Sequence, residues 1–357
     1  MKVDRVRPSE LAEDDIELWS ELQRSDAPLD SPFLRPEFAQ AIGAVREDAE
    51  VAVIHDSTDT LGFFPYQRTR WGRGRPLGAP LSDFHGPSLR KTAEIAPKDL
   101  IRKCGLRHWH FDHLPAVQAG FRPSVRATAE SRYIDLSEGF DAYCTARREA
   151  GSRQMTEAAR KQRKLEREVG ELRFEFHTSD SQVFERLLAW KSEQLQRMGG
   201  YQVLRFGWVV ELLDRLRNVQ SDDFSGVLSA VYAGETLVGV HLGLRTRDVF
   251  HVWFPTYNSA FSKYSPGAIL LIELARSCGS KGIERIDLGK GDERYKSSFG
   301  SAAIELVEGS VDCDPLSRAL SNSWFAARDL SRQAHLKRVS KRAKQVFRQF
   351  RYWSYNS

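Results

Sequence analysis

At 357 residues, 41% of them apolar, and with a net charge of +5, the chain has material for about two globular cores and lacks the bias of a disordered polymer. Its four cysteines, Cys104, Cys144, Cys278 and Cys313, form no CxxC or CxxH pattern and read as reduced core thiols, which suits a cytoplasmic location. The first residues hold no apolar h-region and no apolar run is long enough to span a bilayer, so neither a secretory signal nor a membrane span is expected.

In chain order, residues 52–70 ("AVIHDSTDTLGFFPYQRTR") predict a strand, a tight turn and a strand. Residues 100–114 ("LIRKCGLRHWHFDHL") predict a helix end, a Cys-Gly stop and a strand. A strongly basic segment, "SRQMTEAARKQRKLEREVG", predicts a helix over residues 152–170. The strands "VLSAVYA", "LVGVHLGLRT" and "VFHVWF" follow, then a helix from Pro266 to about Cys278 and the strand "IERIDLG". The tail holds eight Lys or Arg and no acid between Arg332 and Arg351, with Leu336, Val339, Val346, Phe347, Phe350 and Trp353 at roughly helical intervals.

Two of these stretches repeat. Residues 52–70 match residues 230–247 ("AVYAGETLVGVHLGLRTR"), with Gly62 and Gly239 equally far before the closing RTR. Residues 100–114 match residues 274–289 in the same order, at an offset of roughly 175, so the chain reads as a duplication. Each copy predicts a hairpin, a strand, a crossover helix and a strand parallel to the one before the helix. The expected division is a first domain over 1–135, a basic linker helix over 136–172, a second domain over 173–312 and a basic tail over 313–357.

The crossover helix of the second copy has an unusual entrance, "KYSPGAILLIEL". Ser265 suits the N-cap and Pro266 the first helical position, yet the first turn contains no acid. Lys263 stands just outside it. Gly267 lets a ligand approach the backbone, and free amides with the helix dipole favour an anion such as a pyrophosphate. The plainer alternative is a helix capped by Ser265 and water. The first copy has "PLGAPLSDFHGPSLR" in the corresponding region and no clean helix start.

The combination resembles the GNAT acyltransferase superfamily and, more narrowly, its FemAB-like branch with the CelD-type and BioF2-like acetyltransferases of bacterial exopolysaccharide synthesis. The resemblance rests on "SPFLRPEF", "PLSDFHGP", "LLAWKSEQLQRMGG", "VGVHLGLR", "PTYNSAFSKYSPGAILL" and "DLGKGDERYKSSFG", and spans about residues 15–310. It implies an α/β fold of tandem GNAT-like domains, each a mixed central sheet with flanking helices, and one working acyl-CoA site in the second copy. It further implies transfer of an acyl group, most simply acetyl from acetyl-CoA, to an amine on a sugar or lipid-linked sugar. Lys263, Ser265, Pro266, Gly267 and Ala268 would hold the donor, helped by a splayed strand pair.

The amine must lose a proton and the departing thiolate benefits from a donor. His241, on the face of its strand opposite Val240, Leu242 and Leu244, is either that base or a structural histidine. Asp287 ends the strand after the helix and is a base, a substrate ligand or a turn cap. Tyr295 is the candidate acid, and Lys296 a charge near phosphate or substrate. Asp292 is a turn residue or a sugar ligand; Trp190, Trp253 and Tyr257 stack on a sugar or fill core. Lys191 belongs to the matching "AWK" element, and Asp83 and His85 of "SDFHG" to the acceptor pocket. "HWHFDH" places His108 and His110 on one strand face with Asp112 and His113 next, but nothing in the sequence completes four ligands, so no metal is expected. No DNA partner is expected either.

Two further readings remain. A FemX-like enzyme would draw an amino acid from tRNA, for which the basic helix supplies phosphate contacts. A regulatory module would use Arg328-xxx-Arg332 and Arg338-xxx-Arg342 to grip cyclic di-GMP. The tail would otherwise dock on an anionic membrane surface through Phe347, Phe350 and Trp353, placing the protein peripherally on the inner face.

Overall fold

The computed structural model describes residues 1–335 except Asp26 and Asp292. Its elements in chain order are β1 (Lys2–Val6), α1 (Glu13–Arg24), α2 (Pro36–Val45), β2 (Ala49–His55), β3 (Thr60–Thr69), β4 (Arg73–Pro76), β5 (Ser88–Leu89), α3 (Pro97–Lys103), β6 (His108–Pro115) and β7 (Val125–Asp135). There follow α4 (Phe140–Glu149), α5 (Gln154–Glu168), β8 (Leu172–Glu175), α6 (Ser181–Arg197), α7 (Gly207–Arg217), β9 (Ser225–Ala233), β10 (Thr236–Arg245), β11 (Val249–Tyr257), α8 (Pro266–Ser280), β12 (Arg285–Lys290), α9 (Arg294–Phe299), β13 (Ala302–Asp312) and α10 (Pro315–His335).

The chain forms two compact units, and they do not divide at the expected boundaries. One comprises residues 1–29, 33–129 and 305 onward; the other, residues 30–32 and 130–304. The expected linker helix is α5, and it belongs to the second unit: Ala158 and Leu165 are buried in that unit's core clusters. Residues 305–312, placed in the second domain by the expected boundary at 312, instead belong to the first unit, where β13 pairs over Leu306–Asp312 with β6. Such a pairing depends on long-range register, which local pattern does not carry.

In the first unit β1, β2, β3 and β4 pair antiparallel in that order, and β4 lies parallel to β6. The core beneath holds Phe64, Tyr66, Ile101, Trp109 and Phe111. In the second unit β8, β9, β10 and β11 pair antiparallel, β11 lies parallel to β12, and the end of β7 pairs antiparallel with β12. The order hairpin, strand, helix, strand thus occurs in each unit, as the repeat predicted. α8 is apolar nearly all round and buries Ile269, Leu270, Leu274, Ala275 and Cys278, as a helix deep in a core must. All four cysteines are free; Cys104 and Cys278 are buried, the other two half-buried.

The expected tail is in part a docked helix. Arg328 of α10 is buried, pairs with Glu308 and lies over the rings of Trp324 and Phe325, so its guanidinium is already engaged within the first unit. Residues 336–357, with Arg338, Arg342, Phe347, Phe350 and Trp353, lie outside the described residues. No described helix is long and apolar enough to cross a membrane.

Candidate active site

The second unit contains a fork. β11 and β12 pair in parallel only through Val249↔Arg285, Phe250↔Ile286 and His251↔Asp287. Beyond that point β11 runs on to Tyr257 and β12 to Lys290 with no described pair between them. Two strands that part in this way leave backbone donors and acceptors facing a gap, where an extended ligand can satisfy them.

At the strand ends stands the entrance of α8. A 3₁₀ turn over Ser259–Tyr264 is capped by the Asn258 side chain and leads into Ser265, whose φ of 54° is left-handed. In this conformation the Ser265 hydroxyl does not cap the helix, contrary to expectation; it accepts from the Lys161 ammonium of α5 at 2.6 Å. The Ser265 carbonyl receives the Ala268 and Ile269 amides at 2.9 and 3.3 Å. Pro266 has no N–H, which leaves Gly267 N–H as the open donor of a first turn without acid. A side chain at Gly267 would meet only the Tyr257 ring, at 3.6 Å. Packing therefore does not demand this glycine, although glycine costs a helix about 1 kcal/mol relative to alanine.

Lys263 is not the unpaired cation that the sequence suggested. Its ammonium pairs with Glu168 of α5 at 3.2 Å and lies over the Tyr264 ring, while the Tyr264 hydroxyl donates to the same carboxylate at 2.6 Å. These donors, the tyrosine foremost, hold the Glu168 carboxyl below its usual range. The cation at the entrance is Lys161. The sequence flagged its basic helix but gave no sign of which lysine reaches the site.

His241 is fully buried on β10 and holds a bulge in β11. Leu242 faces Phe254 and Gly243 faces Val252, so Trp253 is the extra residue, and its amide donates to His241 Nε2 at 3.2 Å. A side chain at Gly243 would strike the His241 ring at 2.6 Å, so glycine is required there. Burial pushes the imidazole down to about 3, and His251 and Lys191 add to the effect. The lone pair that a base would use is therefore spent on the bulge. The bulge turns Trp253, half-buried, out of strand alternation.

Asp287 lies at the crotch of the fork rather than at a strand end. It is fully buried, with Arg285 Nε at 3.1 Å and His251 Nδ1 at 4.0 Å. Lys191 of α6 donates to the Pro255 carbonyl on the free stretch of β11 at 3.0 Å, and burial pushes its ammonium down to about 8. Trp190 and Tyr257 are half-buried. Tyr295 on α9 is 38% exposed, the accessibility an acid needs. Lys296 is buried and committed to the Lys290 carbonyl at 2.7 Å and to Glu293 at 3.1 Å, so it braces the loop rather than presenting a charge. Asp292 lies outside the described residues. Asp83 and His85 belong to the first unit, where they stand near Asp112 and His113.

A cavity of about 340 Å³ near the start of α5 is lined by Arg147, Arg153, Gln154, Arg294 and Ser298. Arg294 is the neighbour of Tyr295, and Gln154 is two turns of α5, about 10 Å, from Lys161. A second cavity, of about 450 Å³ and lined by His177, Arg245, Arg247 and Lys281, lies at the opposite end of α8 from the entrance.

Residues 152–297 match the family model described as the acetyltransferase (GNAT) domain. No curated protein matches the chain. Among solved structures, a FemX is similar at 8% identity and a TM-score of 0.59, over 89% of this chain and 100% of that one. A conserved Bacteroides thetaiotaomicron protein of unknown function is similar at 10% identity and 0.55, over 85% and 98%. The C-terminal domain of a putative lysylphosphatidylglycerol synthetase from Agrobacterium fabrum follows at 12% identity and 0.54, over 87% and 94%. Over residues 152–297 the chain is thus similar to the acetyltransferase (GNAT) domain in sequence, and over most of its length it shares the fold of these solved structures.

Proposed function

We propose that the chain is an N-acyltransferase that takes an acyl group, acetyl in the simplest case, from a coenzyme A thioester and passes it to an amine on a sugar. The observation that carries this reading is the fork between β11 and β12 with an acid-free helix entrance at its mouth. The donor pyrophosphate would meet Gly267 N–H, the positive end of α8 and Lys161, while the extended arm would lie along the unpaired strand edges. In the reaction the amine attacks the thioester carbonyl, the carbon–sulfur bond breaks and the amine loses a proton. Tyr295 is the proposed proton donor to the leaving thiolate, and Asp287 the group toward which the amine's proton moves.

The arginine-lined cavity beside Tyr295 favours an acceptor with a phosphate, as a nucleotide sugar or lipid-linked sugar has. An amino sugar of exopolysaccharide or envelope synthesis, modified on the inner face of the membrane, is the acceptor that the family resemblance implies. Half-buried Trp253 and Tyr257 offer it stacking surfaces.

Calorimetric titration with acetyl-CoA tests the donor. Micromolar binding is expected, reduced at least a hundredfold in Gly267→Glu and about tenfold in Lys161→Ala, both with an unchanged melting temperature. Absence of binding to the folded wild type overturns the reading.

A second reading, an aminoacyl group drawn from tRNA, is favoured by the likeness to FemX and by the basic helix α5 beside the entrance. Filter binding of aminoacyl-tRNA that is unaffected by excess acetyl-CoA would select it.

A further inference from the structure

The first unit gathers residues the sequence kept apart. Asp112 and His113 are neighbours on β6, where strand alternation would send them to opposite faces. Leu114 faces Val307 and Phe111 faces Gly309, so both residues oppose Glu308 alone. This bulge brings the two side chains together: His113 Nδ1 lies 2.9 Å from Asp112 Oδ1. His85 arrives from the loop before β5, its Nδ1 3.6 Å from the same oxygen and its ring edge-on to His113 at 5.3 Å.

The outer nitrogens of both rings face acceptors. His85 Nε2 lies 3.0 Å from the Ser82 carbonyl, to which it donates, and His113 Nε2 lies 3.7 Å from Asp83 Oδ1. Each histidine therefore turns Nδ1 inward to Asp112. Imidazoles held by an outer acceptor, with the other nitrogen converging on a carboxylate, have the arrangement of metal ligands with their supporting shell.

Without a cation the centre is poorly matched. The buried His85 Nδ1 carries a lone pair that confronts a carboxylate oxygen, and it receives only the long N–H contact of His113, at 3.3 Å, among the described residues. We propose that His85, Asp112 and His113 form a binding site for one divalent transition-metal ion, with Asp83 orienting His113. The three ligand atoms lie within 4.8 Å of one another. Bonds of about 2.0–2.2 Å to a tetrahedral ion set them about 3.4 Å apart, so sub-ångström shifts complete the site. Two imidazoles and one carboxylate suit zinc or cobalt better than calcium or magnesium. Side-chain exposures of 2%, 10% and 17% for His85, Asp112 and His113 leave an approach from the His113 side and a coordination position for water.

His108 and His110, the other histidines of the same strand, are used differently. His108 pairs with Asp312 at 2.7 Å, and His110 lies edge-on to Trp324 of α10. The proposal does not depend on the acyltransferase reading.

Untagged protein stripped with chelator and titrated with Zn(II), then with Co(II) for its visible absorption, tests the site. One equivalent of either ion is expected, with affinity at least tenfold lower in His113→Ala and Asp112→Asn and unchanged in His177→Ala. Asp83→Ala is expected to weaken binding less than removal of a ligand. His113 is partly solvent-facing, so its variant carries the test if Asp112→Asn fails to fold. No stoichiometric uptake by folded wild type, or uptake undiminished in His113→Ala, overturns the proposal.

Discussion

The same strand–helix–strand arch occurs in both units, and its two copies have been finished differently. In the first, β4 and β6 pair through Arg73↔His108 and Gly74↔Trp109, and the crossover helix α3 is a seven-residue helix with Asp99 in its first turn. In the second, α8 is a fifteen-residue helix with no acid in its first turn and a glycine where the backbone is open. The positive end of α3 meets its own carboxylate, whereas that of α8 meets none in its first turn. The hairpins differ too. β3 and β4 pair in unbroken register, while β10 and β11 are interrupted by the Trp253 bulge. At the position of His241, counted back from the RTR, the first copy has Phe64, equally buried. Architecture is thus shared, and the arches differ in a few residues at the helix entrance and strand bulge.

The largest expected effect tests whether each arch anchors its own core. Leu274→Ala in α8 and Ile101→Ala in α3 each remove a fully buried side chain, at a cost of about 2–5 kcal/mol. Calorimetry is expected to show one unit's unfolding moved by each; a single transition shifted equally by both would merge the units energetically. Next comes His241→Phe, which copies the first arch into the second. It leaves the Trp253 amide without its acceptor, a loss of about 1–3 kcal/mol, and acyl transfer is expected to fall more than donor affinity. Retained activity would make the bulge anchor dispensable.

The same variant sharpens the acid response. A buried neutral histidine whose folded value lies near 3, against an ordinary 6.5, leaves the unfolded chain binding more protons. Its contribution is present above pH 6.5 and lost as pH falls toward 3, so His241→Phe is expected to flatten the stability profile of the second unit in that window. The smallest effect is expected of Asp99→Asn, about 0.3–1 kcal/mol from the loss of one helix-dipole interaction, without any gain of acetyl-CoA binding. Appearance of a second donor site in that variant would mean that the acid alone distinguishes the arches.

Much of this was legible in the sequence because local signals coincide there. Pro266 starts α8 at the predicted residue, and the strands on either side of it fall where β-branched and aromatic runs do. The helix entrance was legible for the same reason. What escaped depended on partners far along the chain. Lys263 reads as a lone cation until Glu168, 95 positions away, comes beside it. His241 reads equally as a base or a structural histidine until a bulge in the adjacent strand takes its lone pair. His85 and His113 lie 28 positions apart, and no period links them. The boundary at 312 missed that β13 joins β6, because a strand's pattern states which face is buried and not which edge it joins.

The interleaving of the chain has a consequence for its synthesis. Residues 130–304 leave the ribosome as a complete unit while the first unit, begun earlier, still lacks β13 and α10. Until Asp312 emerges, the edge of β6 that β13 will cover presents open amides and carbonyls beside Trp109 and Phe111. The nascent protein therefore completes its later unit first and carries an exposed, adhesive strand edge in the meantime, the stage at which a chaperone has most to protect.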